Sequence, residues 1–178
     1  MTLYLVEVSI SDRQLDQVRT ALDQVALAAK AVNSELIEVQ VSKDLRRLFV
    51  IIEAANEAAL ETSFDGSELT INLLKQVRLI GQDLATIKAH QSKANYLVEW
   101  DLPAGLTMET YLARKAEKTP LYALVPEISF ERTYVCEDVS KCLCFYDSPD
   151  VATVKQAREV VGAPIDRLTT IEALESFS

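Results

Sequence analysis

The sequence is short of the residues on which many familiar active sites are built. Its 178 residues include four glycines, three cysteines and a single histidine, His90. It contains no glycine-rich phosphate-binding loop, no H-E-x-x-H zinc motif and no serine–histidine–aspartate set. These absences argue against nucleotide hydrolysis, zinc-dependent hydrolysis and serine-type acyl transfer, and we assign no catalytic residue.

Long hydrophobic runs are also missing. No apolar segment approaches the roughly 18 residues that a membrane-spanning helix needs. The chain begins with a strand-like segment rather than a basic and apolar leader, so we expect no secretory signal. An odd number of cysteines argues against a disulfide framework. Together these features predict a protein of the reducing cytoplasm that has no membrane partner.

Apolar residues and negative charge are abundant instead. Hydrophobic residues make up 49% of the chain, so it can bury a large core. The net charge of −9 is spread over both halves and predicts repulsion of phosphate backbones. We therefore expect no nucleic acid partner. The expected partner is a small ligand or a protein, including a second copy of the chain in a homo-oligomer.

The four-residue sequence YLVE occurs twice, at residues 4–7 and 96–99. Each copy is followed by the patterns of a helix, two strands joined by a polar turn, a second helix and a last strand. This order, βαββαβ, is that of the ferredoxin-like fold. The sequence therefore predicts two tandem ferredoxin-like repeats, at 1–88 and 95–178, joined by a linker at 89–94.

Capping residues and the hairpins support this internal duplication. Ser11, with Gln14 three residues later, has the spacing of a capping box before the first helix. In the second half, Thr107 is expected to cap the first helix and Ser148 the second. An offset of 94 residues aligns the two hairpins, so that Arg47 matches Lys141.

Strands in both hairpins are apolar on both faces, as in LFVII (48–52) and CLCFY (142–146). A ferredoxin-like sheet carries helices on one face only, so its second face needs another cover. We expect the two sheets to pack face to face. The predicted class is α+β, with a barrel-like arrangement of two ferredoxin-like repeats.

The glutamate of each YLVE copy lies on the opposite strand face from the tyrosine and the valine. If the latter two face the helices, Glu7 and Glu99 face the space between the sheets. They would then belong to a polar cleft. In the alternative arrangement, both carboxylates lie near strand ends and reach solvent. The hairpin residues that could line such a cleft with them are Arg132, Tyr134 and Tyr146.

The cysteines offer a weaker ligand set. Cys142 and Cys144 alternate on one strand, so their β-carbons are about 7 Å apart. One tetrahedral ion needs sulfurs closer than about 4 Å. Cys136 is expected to face Cys142 across the hairpin, and these two with Glu99 are the ligands available to a divalent metal. In the other interpretation the thiols are small buried hydrophobic residues, and we assign no metal site.

Four segments of the second half carry a family resemblance: YLVEWDLPAGLT (96–107), YVCED (134–138), CFYDSPD (144–150) and GAPIDRL (162–168). They resemble the small ferredoxin-like domains known as nickel-binding-protein-like, and the first half looks like a diverged copy. The resemblance implies the ferredoxin-like fold and a nickel-like divalent metal.

The sequence departs from the family at its metal-binding positions. The family's histidine in the second helix corresponds to Ala157 here, and its cysteine in the first helix has no counterpart. The only histidine, His90, falls in the linker. We therefore expect weak or no nickel binding.

Three functions remain after these exclusions. The preferred one is a non-enzymatic binding or interaction protein for an unknown ligand, without a cofactor. The alternatives are a metal-binding protein and a small cofactor-free α+β barrel enzyme. In the enzyme, a glutamate in the cleft would act as general base.

Overall fold

The structure is a computed structural model that describes residues 1–10, 14–89 and 93–174. The predicted order βαββαβ occurs in each half, with one further short helix between them. The predicted cap Ser11 and the linker residue His90 lie outside the described residues. The elements are β1 (Thr2–Ser9), α1 (Leu15–Ala31), β2 (Glu35–Ser42), β3 (Arg47–Ala54), α2 (Glu57–Phe64), β4 (Thr70–Ile80), α3 (Leu84–Ala89), β5 (Tyr96–Asp101), α4 (Met108–Lys118), a 3₁₀ helix (Thr119–Leu124), β6 (Ser129–Cys136), β7 (Lys141–Asp147), α5 (Val151–Val160) and β8 (Arg167–Leu174).

The prediction of two sheets packed face to face is wrong. The eight strands form one closed barrel in the order β1-β3-β2-β8-β5-β7-β6-β4. A barrel also buries strands that are apolar on both faces, so the pattern on which the prediction rested fits either arrangement. In two separate sheets, the backbone groups of the edge strands would lack hydrogen-bond partners on one side. Closure into a barrel supplies those partners.

The described residues divide into two compact units. Unit 1 comprises residues 1–77, 85–89 and 172–174, and unit 2 comprises 78–84 and 93–171. No helix among the described residues is long and apolar enough to cross a membrane.

Unit 1 has an aliphatic and aromatic core between its strands and its two longer helices. β1 pairs with β3 and β4, and β2 pairs with β3, all antiparallel. Tyr4 and Val6 of the first YLVE copy pack in the same buried cluster as Leu22 of α1 and Phe64 of α2. The tyrosine and the valine therefore face the helices, and Glu7 lies on the other face of β1.

Unit 2 repeats this framework, with β5 between β7 and β8 and with β6 beside β7. The Thr107 side chain caps α4 by accepting a hydrogen bond from the Thr110 backbone N–H at 3.1 Å. α5 begins later than predicted, because Asp150 rather than Ser148 is its cap. The Asp150 carboxylate accepts the Thr153 backbone N–H at 2.8 Å.

Candidate functional site

Three alternate residues of β7 pack toward the helices of unit 2. Cys142, Cys144 and Tyr146 belong to one buried cluster with Tyr111 of α4 and Val154 of α5. All three β7 side chains are almost completely buried. Their strand is thus the floor on which the site of unit 2 is built.

A cavity of about 40 Å³ lies between this floor and the helices. By volume it can hold about three water-sized groups. None of the described residues that line it is an aspartate or a glutamate. Its lining includes both cysteines of the floor, the aromatic residues Trp100, Tyr111 and Tyr122, and the cations Arg114, Lys115, Lys118 and Arg158.

Arg158 is the most unusual residue of the cavity, because only 3% of it is exposed. Its Nη1 donates to the Tyr146 hydroxyl at 3.1 Å and lies 3.4 Å from Cys144 Sγ. Its Nη2 donates to the Pro164 carbonyl at 2.6 Å. Its Nε is buried and has no hydrogen-bond partner among the described residues. A buried guanidinium with an unused donor is costly, and an anion in the cavity would remove that cost.

Two tyrosines contribute hydroxyl groups beside the guanidinium. The Tyr122 and Tyr146 hydroxyl oxygens are 2.6 Å apart, and the Tyr122 ring stacks on Phe130 with centroids 5.2 Å apart. Burial raises the pKa of Tyr122 to about 12 and also raises the pKa of Tyr146. Both therefore remain neutral phenols that can donate a hydrogen bond at physiological pH.

The two thiols of the floor titrate in opposite directions. The pKa of Cys144 is lowered by a hydrogen bond from the Cys142 thiol, by the cations Lys115 and Arg158, and by the Thr133 hydroxyl. That hydroxyl donates to Cys144 Sγ at 3.2 Å. The pKa of Cys142 is raised by its bond to Cys144 and by burial. Of the two, Cys144 is therefore the more readily ionised thiol.

Of the sequence-predicted cleft residues of unit 2, Glu99, Arg132 and Tyr134 share one strand face, and Tyr146 lies on the other. Tyr146 lies in the cavity region, on the helix side of β7. The Arg132 guanidinium lies over the Phe145 ring, 4.8 Å from its centre, and Tyr134 packs edge-on against the same ring at 5.6 Å. Phe145 alternates with Tyr146 along β7, so Arg132 and Tyr134 are on the opposite face.

Both YLVE glutamates are buried and paired with cations instead of reaching solvent. Glu99 is 4% exposed, and its Oε1 lies 2.6 Å from Lys141 Nζ. Glu7 is 7% exposed, and its Oε2 lies 3.4 Å from Arg47 Nη2. The cations are the pair that the 94-residue offset aligns, so each unit carries the same ion pair.

The metal ligands suggested by the sequence do not converge. Cys142 lies opposite Val135 in the β6–β7 ladder, so the expected pairing of Cys136 with Cys142 is wrong by one residue. Cys136 consequently lies on the other strand face. No group of three His, Cys, Asp or Glu side chains among the described residues could hold a metal ion. The residues present therefore do not fit the nickel ion that the family resemblance implies.

Sequence reasoning missed Arg158, the residue around which the cavity is organised. Its position was open to prediction, because it falls in the apolar stripe of α5 between Val154 and Val161. The 94-residue offset matches it to Phe64, which lies in the core of unit 1. The periodicity therefore contained a signal for Arg158, which is a cation at a position that is apolar in the other repeat.

Comparison with solved structures shows the fold. The chain is similar to a protein named as a candidate chlorite dismutase, with a TM-score of 0.56 and 11% identity over 97% of this chain and 95% of that one. It is also similar to a candidate monooxygenase from Fusobacterium nucleatum subsp. nucleatum, with a TM-score of 0.52 and 10% identity over 97% and 92% of the chains. At such identities, these similarities show a shared α+β barrel-like fold and nothing of activity.

Sequence comparison separates the two halves of the chain. A search of the curated proteins gives no significant match. Residues 96–171, however, match the family described as nickel responsive protein SCO4226-like. The resemblance found in the second half of the sequence is thereby confirmed, and this half is similar to the SCO4226-like proteins.

Proposed function

We propose that the protein binds a small organic anion in the cavity of unit 2. The observation that carries this proposal is the buried Arg158, whose Nε lacks a partner among the described residues. It lies on a cavity with three further cations, Arg114, Lys115 and Lys118, and with no carboxylate among the described lining residues. A ligand carboxylate would supply the missing acceptor and a negative charge beside the four cations.

The rest of the lining indicates the body of the ligand. Trp100, Tyr111 and Tyr122 offer ring surfaces at the same cavity. The enclosed volume accommodates about three heavy atoms, which is the size of a carboxylate group. A flat apolar body would then lie between the rings toward the mouth of the cavity. The ligand class that fits is a small aromatic or unsaturated carboxylate.

The negative net charge of the chain does not oppose this assignment. Charges beyond about 8–10 Å are largely screened at physiological salt, whereas partly buried cations are screened much less. The field inside the cavity is therefore set by its own four cations. Binding should be only weakly sensitive to salt, in contrast to binding at an exposed basic patch.

Nickel binding has less support from the described residues. The family's histidine corresponds to Ala157, which is fully buried, and the nearby thiols share their cavity with four cations. Such surroundings repel a divalent cation. We keep the expectation of weak or no nickel binding, which submicromolar affinity in a calorimetric titration would contradict.

The only tryptophan of the chain provides the test, because Trp100 lines the cavity. We expect benzoate to change the tryptophan fluorescence in a saturable way. Benzylamine, which has a similar ring and the opposite charge, should leave the fluorescence unchanged. Equal responses to both compounds would contradict the proposal, since they would show that ring stacking alone drives binding.

Variants locate the binding site. Arg158→Met should weaken benzoate binding by about tenfold or more, the equivalent of one charge-assisted hydrogen bond. Lys115→Met should weaken it less, because this side chain contributes charge without being fully buried. Arg46→Met, an exposed arginine in unit 1, is the matched control and should have no effect. Unchanged affinity in both cavity variants would exclude this cavity as the site.

A further inference from the structure

We propose that Cys144 is a reactive thiolate, which hydrogen peroxide entering the cavity of unit 2 oxidises to a sulfenic acid. This inference does not depend on the proposed anion ligand. It concerns a covalent modification, and it assigns a role to the one nucleophilic group that ligand binding leaves unused. The geometry around the sulfur, the size of the cavity and the placement of the other thiols support it.

The surroundings of the sulfur are those of a stabilised thiolate. Thr133 Oγ1 and Arg158 Nη1 lie 3.2 and 3.4 Å from Cys144 Sγ, and both are donors. The Lys115 cation adds its field. Donors and cations around a cysteine favour the ionised, nucleophilic form. A structural cysteine in an apolar core has no such set.

The cavity selects which reagents can reach this sulfur. Cys144 is 1% exposed, but it lines the cavity of about 40 Å³. A peroxide has two heavy atoms and fits a space for about three water-sized groups. Cys144 should therefore react with hydrogen peroxide while it remains protected from bulky aromatic disulfides.

The reaction is a two-electron oxidation of sulfur. The thiolate attacks one peroxide oxygen, a sulfur–oxygen bond forms, and the oxygen–oxygen bond breaks. The attacked oxygen keeps its hydrogen and becomes the sulfenic hydroxyl, the second oxygen leaves as hydroxide, and the peroxide is reduced by the same two electrons. The new sulfenic oxygen would form beside Arg158, whose Nη1 lies 3.4 Å from the sulfur and can donate to it.

The other thiols are poorly placed to convert the product to a disulfide. Cys142 and Cys144 are separated by one residue on a strand, so their β-carbons are about 7 Å apart. A disulfide needs about 3.5–4.5 Å. Cys136 lies on the opposite strand face. The sulfenic acid should therefore persist until an external thiol reduces it.

The experiment treats the folded full chain with hydrogen peroxide and removes the excess with catalase. The chain is then unfolded in urea with dimedone, which traps sulfenic acids, and the adduct is mapped by peptide mass spectrometry. We expect the adduct on Cys144, and not on Cys136 or Cys142. Dimedone on all three cysteines alike, on none, or only when the peroxide is added after unfolding would overturn the proposal.

The pH dependence provides a second readout. The titratable or charged groups around the sulfur are Tyr111 and Lys115 of α4, Tyr122 of the 3₁₀ helix, Cys142 and Tyr146 of β7, and Arg158 of α5. The phenols and cations keep their protonation state between about pH 6 and 8. As the pH is lowered, the trapping rate of an ordinary thiol falls roughly tenfold per pH unit. The trapping rate of Cys144 should fall by less.

Variants separate a reactive thiolate from a merely accessible one. Thr133→Val removes a donor to the sulfur and should slow trapping several-fold at pH 6.5, whereas Thr133→Ser retains a donor and should restore the rate. Cys136→Ala is the control and should leave it unchanged. Equal rates in all three variants would overturn the role of the hydrogen bond and with it the stabilised thiolate.

The anion-binding proposal and the reactive-thiolate proposal can be contradicted independently of each other. If benzoate does not bind but peroxide modifies Cys144, the proposed ligand is wrong and the reactive thiolate stands. If benzoate binds and Cys144 remains reduced at peroxide concentrations that oxidise free cysteine, the reactive thiolate is wrong. If both hold, saturating benzoate should slow the oxidation, because both occupy one cavity.

Discussion

Unit 1 and unit 2 place matching residues against their helices, yet one is filled with hydrocarbon and the other encloses a polar cavity. Three alternate positions of β3 and β7 show the contrast most directly. Offset by 94 residues, Leu48, Val50 and Ile52 of unit 1 match Cys142, Cys144 and Tyr146 of unit 2. All are buried, so the difference lies in the chemistry of the side chains and not in their exposure.

The second helices continue the comparison. The caps Asn56 and Asp150 each accept a hydrogen bond from the backbone N–H three residues later, at 2.9 and 2.8 Å. From this common start, the same offset pairs Phe64 with Arg158. A ring completes the core of unit 1, whereas a guanidinium at the matching position of unit 2 brings charge, donors and an open cavity. The two units therefore differ at this core position, which holds a ring in unit 1 and a cation with hydrogen-bond partners in unit 2.

The first helices explain where the space comes from. α1 has 17 residues and buries six of them, including Val18, Leu22 and Val25. α4 has 11 residues and buries only Tyr111. A shorter helix with one buried ring leaves volume above β7 that cationic side chains line but do not fill. The cavity is thus a consequence of helix length as well as of the residues on the strand.

The strongest test of the comparison is to place the cation in the wrong unit. Phe64→Arg would bury a guanidinium among aliphatic side chains that offer it no donors or acceptors of their own. We expect a loss of about 4 kcal/mol or more in the free energy of unfolding, or failure to fold. Urea denaturation measures it. Leu27→Arg is the control, because Leu27 is 72% exposed and its replacement should cost little. Near-parental stability of Phe64→Arg would show that the two helix faces are not different environments.

The next test concerns the ion pair that both units share. Glu99→Gln should reduce the free energy of unfolding by about 1–3 kcal/mol, because it leaves Lys141 partly buried without its close negative partner. Glu7→Gln should cost less, since the Glu7–Arg47 contact is longer and its cation is more exposed. Urea titrations of both variants at pH 7 give the ranking. A rise in stability in either variant would instead indicate a strained functional carboxylate.

These ion pairs also show what the sequence could predict. The YLVE repeat and the 94-residue offset were sufficient to predict the order of elements and the alignment of Arg47 with Lys141, whereas the strand face of each glutamate was left open between two arrangements. The order and the alignment follow from local periodicity, because helices and strands repeat their apolar positions at different spacings.

Pairing between distant segments could not be predicted in the same way. Whether sheets face each other or close into a barrel depends on the strand edges, and apolar periodicity does not describe edges. The β6–β7 register shifts between Phe130 and Arg132, and this irregularity puts Cys136 on the strand face opposite to Cys142. Arg158 was missed because a cation on an amphipathic helix is ordinarily assigned to solvent.

A third prediction compares the strand positions Cys144 and Val50. The folded-state pKa of Cys144 is lowered below that of an unfolded thiol, about 8.5. Its ionisation therefore stabilises the fold fully above that pH and progressively less as the pH falls toward the folded pKa. We expect the cost of Cys144→Ala to shrink between pH 8.5 and pH 6, as measured by urea denaturation. Cys142 is present in both the parent and the variant, so its raised pKa contributes to both curves.

Val50→Ala is the matched control for this titration. It shortens a buried side chain at the equivalent position of unit 1, where no proton is exchanged. Its cost should be about the same at every pH in the range. A parallel decline in both variants would assign the pH dependence to the whole protein and not to the Cys144 thiolate.

The smallest expected change in stability comes from giving unit 2 the residue of unit 1. Arg158→Phe removes a buried charge, which is favourable, and also removes the donors to Tyr146 and to the Pro164 carbonyl, which is unfavourable. These effects oppose each other, so the free energy of unfolding should change by no more than about 1 kcal/mol. The fluorescence response of Trp100 to benzoate should nevertheless disappear, because the ring occupies the cavity and carries no charge. Arg158→Phe would then separate binding from folding. If benzoate still bound with parental affinity, the guanidinium would not be what distinguishes the two units. The cavity would then have to draw its anion preference from Arg114, Lys115 and Lys118 alone.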